Sequence, residues 1–137
     1  MKYEAEKGYL ILGTENYIAC ATTLAKSLKY WHPDVKICLL TDIAYENPVF
    51  DFIRQLPFGN TGGWTTDWQV FYASPFHETI KLEADMVVSG PVDHWWTHFR
   101  KKPVWISTGC KNFHNENSRV KRYRKIFDKN NLPDVYN

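Results

Sequence analysis

Very little in this chain could staple it covalently. It has three cysteines, Cys20, Cys38 and Cys110, an odd count with no C-x-x-C pair. Neither a disulfide framework nor a cysteine zinc site is therefore expected. No N-x-S/T sequon occurs, and Met1-Lys2-Tyr3-Glu4-Ala5-Glu6-Lys7 carries charges but no apolar signal segment. A reducing cytoplasm is the expected setting. No apolar run approaches the ~20 residues of a membrane span. An excess of one charge is missing as well: the net charge is +2 at pH 7, too small to indicate a general nucleic-acid binder driven by counterion release. G-x-S-x-G, G-x-x-x-x-G-K-[ST] and H-E-x-x-H are all absent. Serine hydrolase, P-loop NTPase and zincin readings thus have no motif behind them.

What is present is a globular composition, 44% hydrophobic and 23% charged over 137 residues, with an aromatic share of 16%. That length suits one soluble domain able to bury roughly two-thirds of its unfolded surface. The aromatic residues fill a core, offer stacking surfaces, or do both. Cys20 and Cys38 lie in apolar stretches and read as small core hydrophobes.

The order of segments is that of an α/β chain. Tyr9-Leu10-Ile11-Leu12 is a short apolar run closed by Gly13-Thr14, the pattern of a buried strand feeding a turn. From about Asn16 to Tyr30, Ile18, Ala21, Leu24, Ala25 and Leu28 recur at helical spacing, with Thr14 or Asn16 as N-cap. His32-Pro33-Asp34 ends that helix. Val35 to Leu40 is a second strand stopping at Thr41-Asp42, so a right-handed βαβ unit with parallel strands is expected. Between Ile43 and Gly63 the prolines and glycines predict a short strand and a glycine-rich loop, Gly59-Asn60-Thr61-Gly62-Gly63. Thr66 to Ala73 reads as a short helix, Glu78 to Leu82 as a third major strand, and Met86-Val87-Val88 as its extended continuation. Asp93 caps a helical turn bearing Trp95, Trp96 and Phe99, and Val104 to Ser107 makes a fourth strand. Residues 110–137 turn polar and then basic. The expected fold is a Rossmann-like, mostly parallel sheet flanked by helices in one domain spanning residues 1–137.

Leu82-Glu83-Ala84-Asp85-Met86 is the strongest local signal for chemistry. In an extended segment, side chains at i and i+2 point the same way, roughly 6–7 Å apart along the backbone. Two carboxylates so placed at the carboxyl end of a strand can share a hard divalent cation and leave its other positions to water or phosphate oxygens. Ligands of open α/β sheets bind beyond those strand ends. The plain alternative is a pair of polar residues closing a strand.

The stretch from Ser74 to Val88, Ser-Pro-Phe-His-Glu-Thr-Ile-Lys-Leu-Glu-Ala-Asp-Met-Val-Val, resembles the surroundings of the acidic D-x-D motif of GT-A glycosyltransferases. Gly13-Thr14, Tyr17 to Ala21, Ser27-Leu28, His32-Pro33-Asp34 and Leu39-Leu40-Thr41-Asp42 look like the nucleotide-binding opening of glycogenin-like sugar transferases. The resemblance runs from about Gly8 to Thr108. It implies a GT-A fold and transfer of a sugar from a nucleotide-diphosphate donor to an acceptor hydroxyl, assisted by Mn2+ or Mg2+. It further implies that Gly13 and Thr14 present backbone and hydroxyl groups to the nucleotide, and that Tyr17 lies against the base. Thr41 and Asp42 would close the second strand beside the same pocket. Asp85 matches the second acid, the principal metal ligand, and Glu83 the first, which helps hold the metal or the ribose. Two positions depart from the pattern. Glu83 stands where Asp is commoner, and Trp68-Gln69 stand where relatives often have a lysine facing the donor. Gln69 there could hydrogen-bond but not neutralise phosphate. The chain ends about where the family's next strand begins, so an N-terminal portion holding the donor side is expected.

Two other functions fit less of the chain: a non-catalytic nucleotide-sugar or glycan binder, and a small nucleic-acid-associated protein using Arg119, Lys121, Arg122, Arg124 and Lys125 around Tyr123. A solvated basic helix is the commoner explanation of that run. His77, His94, His98 and His114 lack ligand spacing and read as surface or interface residues. Trp95, Trp96 and Trp105 read as aromatic core before sugar platform. An uncovered face near Val104-Trp105-Ile106 would favour self-association.

Overall fold

A computed structural model describes residues 3–62 and 66–101. Val104 to Ser107, the basic run and Cys110 lie outside the described residues. Contacts along the backbone divide the chain into two units, Met1–Pro91 and Val92–Asn137.

The first unit is a four-stranded sheet in the order β3-β2-β1-β4, every neighbour parallel. Its strands are β1 (Ala5–Leu12), β2 (Ile37–Thr41), β3 (Phe52–Gln55) and β4 (Phe76–Glu83). The strands expected within the described residues are present, with shifted ends. β1 begins four residues earlier than the apolar run because its backbone, not its side chains, has a partner. Glu4 and Ala5 donate to the Pro75 carbonyl at 2.8 and 3.2 Å, and Ala5 pairs with Phe76. β2 is buried at all five positions, as a central parallel strand must be. The short strand expected between Ile43 and Gly63 is β3. Met86 to Val88 is not part of the sheet. The chain leaves β4 in a turn, and the Val88 N–H is held by Ser27 Oγ at 3.0 Å.

Helix α1 (Ile18–Trp31) follows a 3-10 turn, Glu15–Tyr17. It buries Ala21, Thr22, Leu24, Ala25 and Leu28, the spacing of one helix face. Thr22 is in that stripe because its hydroxyl is satisfied twice, by the Ile18 carbonyl at 2.8 Å and the Tyr45 hydroxyl at 2.9 Å. Cys20 falls between the stripe positions and is exposed, which corrects its reading as a core residue. Cys38 is wholly buried in β2, and desolvation pushes its thiol up to about 12. Neither expected N-cap makes a side-chain cap bond; the caps are Thr14 for the 3-10 turn and Tyr17 for α1. A carboxylate from β2's end does that work instead.

The two faces of the sheet are covered by different segments. α1 packs beside Leu39 and the end of β1. The opposite face buries Leu10, Cys38 and Leu40 with Leu56, Ala73 and Phe76. There the covering segment is the 3-10 turn Asp67–Gln69 running into α2 (Val70–Ala73), which matches the short helix expected from Thr66 to Ala73. Each fully buried Leu or Ile contributes about 1.5–3 kcal/mol.

At the amino end of the sheet, Asp51 ties three elements together. Its carboxylate accepts from Lys29 Nζ, Lys36 Nζ and the Ile37 N–H at 2.9, 2.9 and 3.0 Å. Burial by itself raises this carboxyl. The two ammonium groups and the amide outweigh it, and the pKa falls below the ordinary 3.8.

The second unit contributes one described helix, α3 (His94–Phe99). Asp93 stands at its N-cap position, as expected, but makes no side-chain cap bond. Trp96 is buried, and Trp95 meets His94 and Phe99 edge-on or tilted, with ring centroids 6.3 Å away in each case. Among the described residues no helix is long and apolar enough to cross a membrane.

Candidate functional site

A parallel sheet in the order β3-β2-β1-β4 has one natural crevice. From β1 the chain moves outward to β2 and β3 over one face, then returns across the other face to β4 on the far side of β1. The connections therefore part between the carboxyl ends of β1 and β4, where open α/β sheets take ligands. In register, Leu12 pairs with Leu40 on one side and Glu83 on the other. Gly13-Thr14, Thr41-Asp42 and Glu83-Asp85 accordingly leave three adjacent strands at one edge. Chain order had not put them together; strand register does.

Gly13 makes the tight exit from β1. Its N–H donates to the Leu40 carbonyl at 2.9 Å. A Cβ there would sit 2.7 Å from Ala21 Cβ and 3.1 Å from Leu39 Cδ1. Only glycine lets the start of α1 come this close to the sheet. Thr14 is extended, φ −71° and ψ 172°, and its carbonyl accepts the Tyr17 N–H at 2.8 Å. That turn leaves the Tyr17 ring 53% exposed at the helix start.

Asp42 binds this corner. One carboxylate oxygen accepts the Glu15 N–H at 2.9 Å, and the other accepts Asn60 Nδ2 at 2.8 Å. The first contact satisfies a free amide at the start of the 3-10 turn, where a negative charge is favoured. Thr41 is completely buried, with its Oγ1 accepting the Ile43 N–H at 3.4 Å. It supports the strand end instead of presenting a group to solvent.

Gln69 is placed differently from the expectation that it faces a donor. The side chain is fully buried. Its Oε1 accepts the Phe58 N–H at 3.0 Å and its Nε2 donates to the Gly59 carbonyl at 2.8 Å. Both ends of the amide are spent on the loop after β3, because a buried amide must find partners. The anchored loop carries Phe58 against Trp68 and Tyr72, ring centroids 5.0 and 5.8 Å away, and all three rings are exposed.

β4 ends at Glu83, and Ala84-Asp85 form a turn closed by the Met86 N–H on the Glu83 carbonyl at 3.2 Å. The i, i+2 argument for an extended segment therefore does not hold for Glu83 and Asp85. It holds for Lys81 and Glu83, both within the strand, and these two are hydrogen-bonded as an ion pair. Lys81 Nζ also meets Asp67 Oδ1 at 3.1 Å. Asp85 is exposed, and its carboxylate has no hydrogen bond or ion pair among the described residues.

No group of three or more His, Cys, Asp or Glu side chains among the described residues could hold a metal ion. A magnesium-type ion keeps several waters and needs only one or two carboxylates with substrate phosphates. Asp85 is open to such an ion, whereas Glu83 meets it only by parting from Lys81. Asn60, Asp67 and Lys81 are the members of this edge that reading the sequence missed. Only Lys81 had a signal there, its place two residues before Glu83 on the same strand face.

No protein-family model matches the chain, and no curated protein matches it.

Proposed function

We propose that this chain is the donor-binding part of a GT-A-type glycosyltransferase, holding a nucleotide-diphosphate sugar at the carboxyl edge of the sheet for transfer to an acceptor hydroxyl. The observation that carries the reading is the convergence of Gly13-Thr14 and Glu83-Ala84-Asp85 at the ends of neighbouring strands β1 and β4, at the point where the connections diverge. Support also comes from the exposed Tyr17 ring beside that edge, suited to stacking on a base at about 1–3 kcal/mol.

On this reading Asp85 and Glu83 hold Mn2+ or Mg2+, which when bound supplies Lewis-acid stabilisation of charge on the leaving diphosphate. The backbone around Gly13 and the Thr14 hydroxyl orient the nucleotide. Asp42 keeps the 3-10 turn before α1 in place, through the Glu15 amide.

A thermal-shift titration with UDP, GDP and their sugars, with Mn2+ or with EDTA, tests the proposal. A ligand bound only by the folded state adds RT ln(1 + [L]/Kd), about 2.7 kcal/mol at a hundredfold excess. The expected result is a Mn2+-dependent rise in melting temperature for one base, abolished by Asp85→Ala. A cooperative melt that no nucleotide shifts would overturn it.

A further inference from the structure

Three aromatic rings lie together on the surface of the first unit. Phe58, Trp68 and Tyr72 are 57%, 41% and 51% exposed, yet each meets the other two, with ring centroids 5.0, 5.4 and 5.8 Å apart. Apolar residues exposed singly need no explanation, whereas a contiguous patch marks a binding surface. Phe58 and Trp68 are tilted by 33°, and Tyr72 stands at 83° and 89° to them, so ring faces are offered in two directions. The arrangement is fixed in advance. The buried Gln69 holds the Phe58 N–H and the Gly59 carbonyl, and Trp68 and Tyr72 flank it in the chain. Little ordering entropy is left to lose on binding.

The surroundings select the ligand by their charge. From Leu56 to Ala73 the sequence carries one charged residue, Asp67, and its carboxylate is paired with Lys81 Nζ at 3.1 Å. The exposed polar side chains described there, Asn60 and Thr61, are an amide and a hydroxyl. A nucleic-acid strand stacked on aromatic rings needs a basic groove for its phosphates, and an anionic membrane surface needs lysines or arginines. These segments have neither. A pyranose ring needs no charge. Its face of C–H bonds is drawn to the negative face of an aromatic ring, and its hydroxyls pair with neutral donors and acceptors. We propose that Phe58, Trp68 and Tyr72 are a binding platform for an uncharged saccharide. The loop and turn that carry them are tied to the carboxyl edge of the sheet, Asn60 to Asp42 at 2.8 Å and Asp67 to Lys81. The acceptor hydroxyl of the proposed transfer then belongs to a sugar, a step that rests on the donor-site reading as the binding itself does not.

Titration calorimetry of the whole chain, without metal or nucleotide, tests the platform with cellohexaose, maltohexaose and chitohexaose, and with a heparin-derived hexasaccharide as the anionic control. One of the neutral three is expected to bind. Trp68→Ala and Tyr72→Ala are each expected to weaken it by about tenfold, the loss of one well-placed aromatic contact. Trp68→Phe keeps a ring face and is expected to stay within about threefold. Tyr30→Ala removes an exposed ring at the far end of α1 and should leave the affinity unchanged. A cooperative melt establishes that each variant is folded. The platform is overturned if no neutral hexasaccharide binds, or if both alanine variants bind as well as the unmodified chain. It is equally overturned if the heparin fragment binds more tightly than any neutral sugar, or if the unmodified chain self-associates and Trp68→Ala abolishes this. Saccharide binding by a chain whose melt no nucleotide shifts overturns the donor site and the acceptor assignment, and supports the platform. A nucleotide shift without saccharide binding overturns the platform alone.

Discussion

Asp42 at the end of β2 accepts the backbone N–H of Glu15 at 2.9 Å across 27 residues of chain. This single contact fastens the first turn before α1 to the neighbouring strand, and through Asn60 the same carboxylate fastens the loop after β3. Asp42 is therefore the clasp that holds the turn after β1, the end of β2 and the loop after β3 together.

Asp42→Ala removes a cap in trans and a loop tether at once. A lost cap costs about 0.5–2 kcal/mol, so a fall in melting temperature of roughly 2–6 °C is expected. Asp42→Asn keeps an acceptor for the Glu15 amide and should recover part of that loss. Thermal melts of the two variants side by side check the ordering.

Gly13→Ala should be destabilising by about 1–3 kcal/mol, the usual cost of overpacking. The nearest neighbour of the new methyl is Ala21 Cβ at 2.7 Å, an atom with no torsion to move out of the way. Adding Ala21→Gly removes the clash, at a helix-propensity cost of about 1 kcal/mol. Urea unfolding of the single and double variants should then give a coupling energy favouring the pair; strict additivity would contradict the close approach.

Gln69→Leu keeps the bulk of a fully buried side chain but strands the Phe58 N–H and the Gly59 carbonyl. Each of these part-buried hydrogen bonds is worth about 0.5–1.5 kcal/mol net. The loop from Leu56 to Gly62 should become the earliest site of cleavage in limited proteolysis, mapped by mass spectrometry. Unchanged cleavage would show that the amide does not anchor it.

Asp51 has a pKa lowered in the folded state, which sets the sign of its pH dependence. The unfolded chain binds this proton more readily, so the contribution is complete above the ordinary carboxylate pKa and disappears as pH falls through the lowered value. Asp51→Asn is expected to lower stability by about 1–3 kcal/mol at pH 7. Below about pH 3.8 the wild-type and variant melting temperatures should draw together. Parallel curves down to pH 2.5 would refute the role.

Much of the fold was legible because its causes are local. The helical spacing of Ala21, Leu24, Ala25 and Leu28, the apolar runs of β1 and β2, and the breaks at Pro33 and Pro75 act through near neighbours in the chain. Where the partner was distant, local pattern misled. Cys20 sits in an apolar stretch yet on the outer side of α1. Gln69 looked available, but its amide is consumed by a loop ten residues back. Asp85, counted as extended, lies in a turn.

The sequence by itself determined that strand alternates with helix and that acidic and small polar residues stand at strand ends, since periodicity and backbone preference need no knowledge of the rest of the molecule. Only the tertiary structure decided that β1 lies between β2 and β4. That neighbourhood is set by which apolar faces bury one another. It is what brings Gly13, Asp42 and Glu83 to one edge, and what matches Lys81 with Asp67, fourteen residues away in the chain.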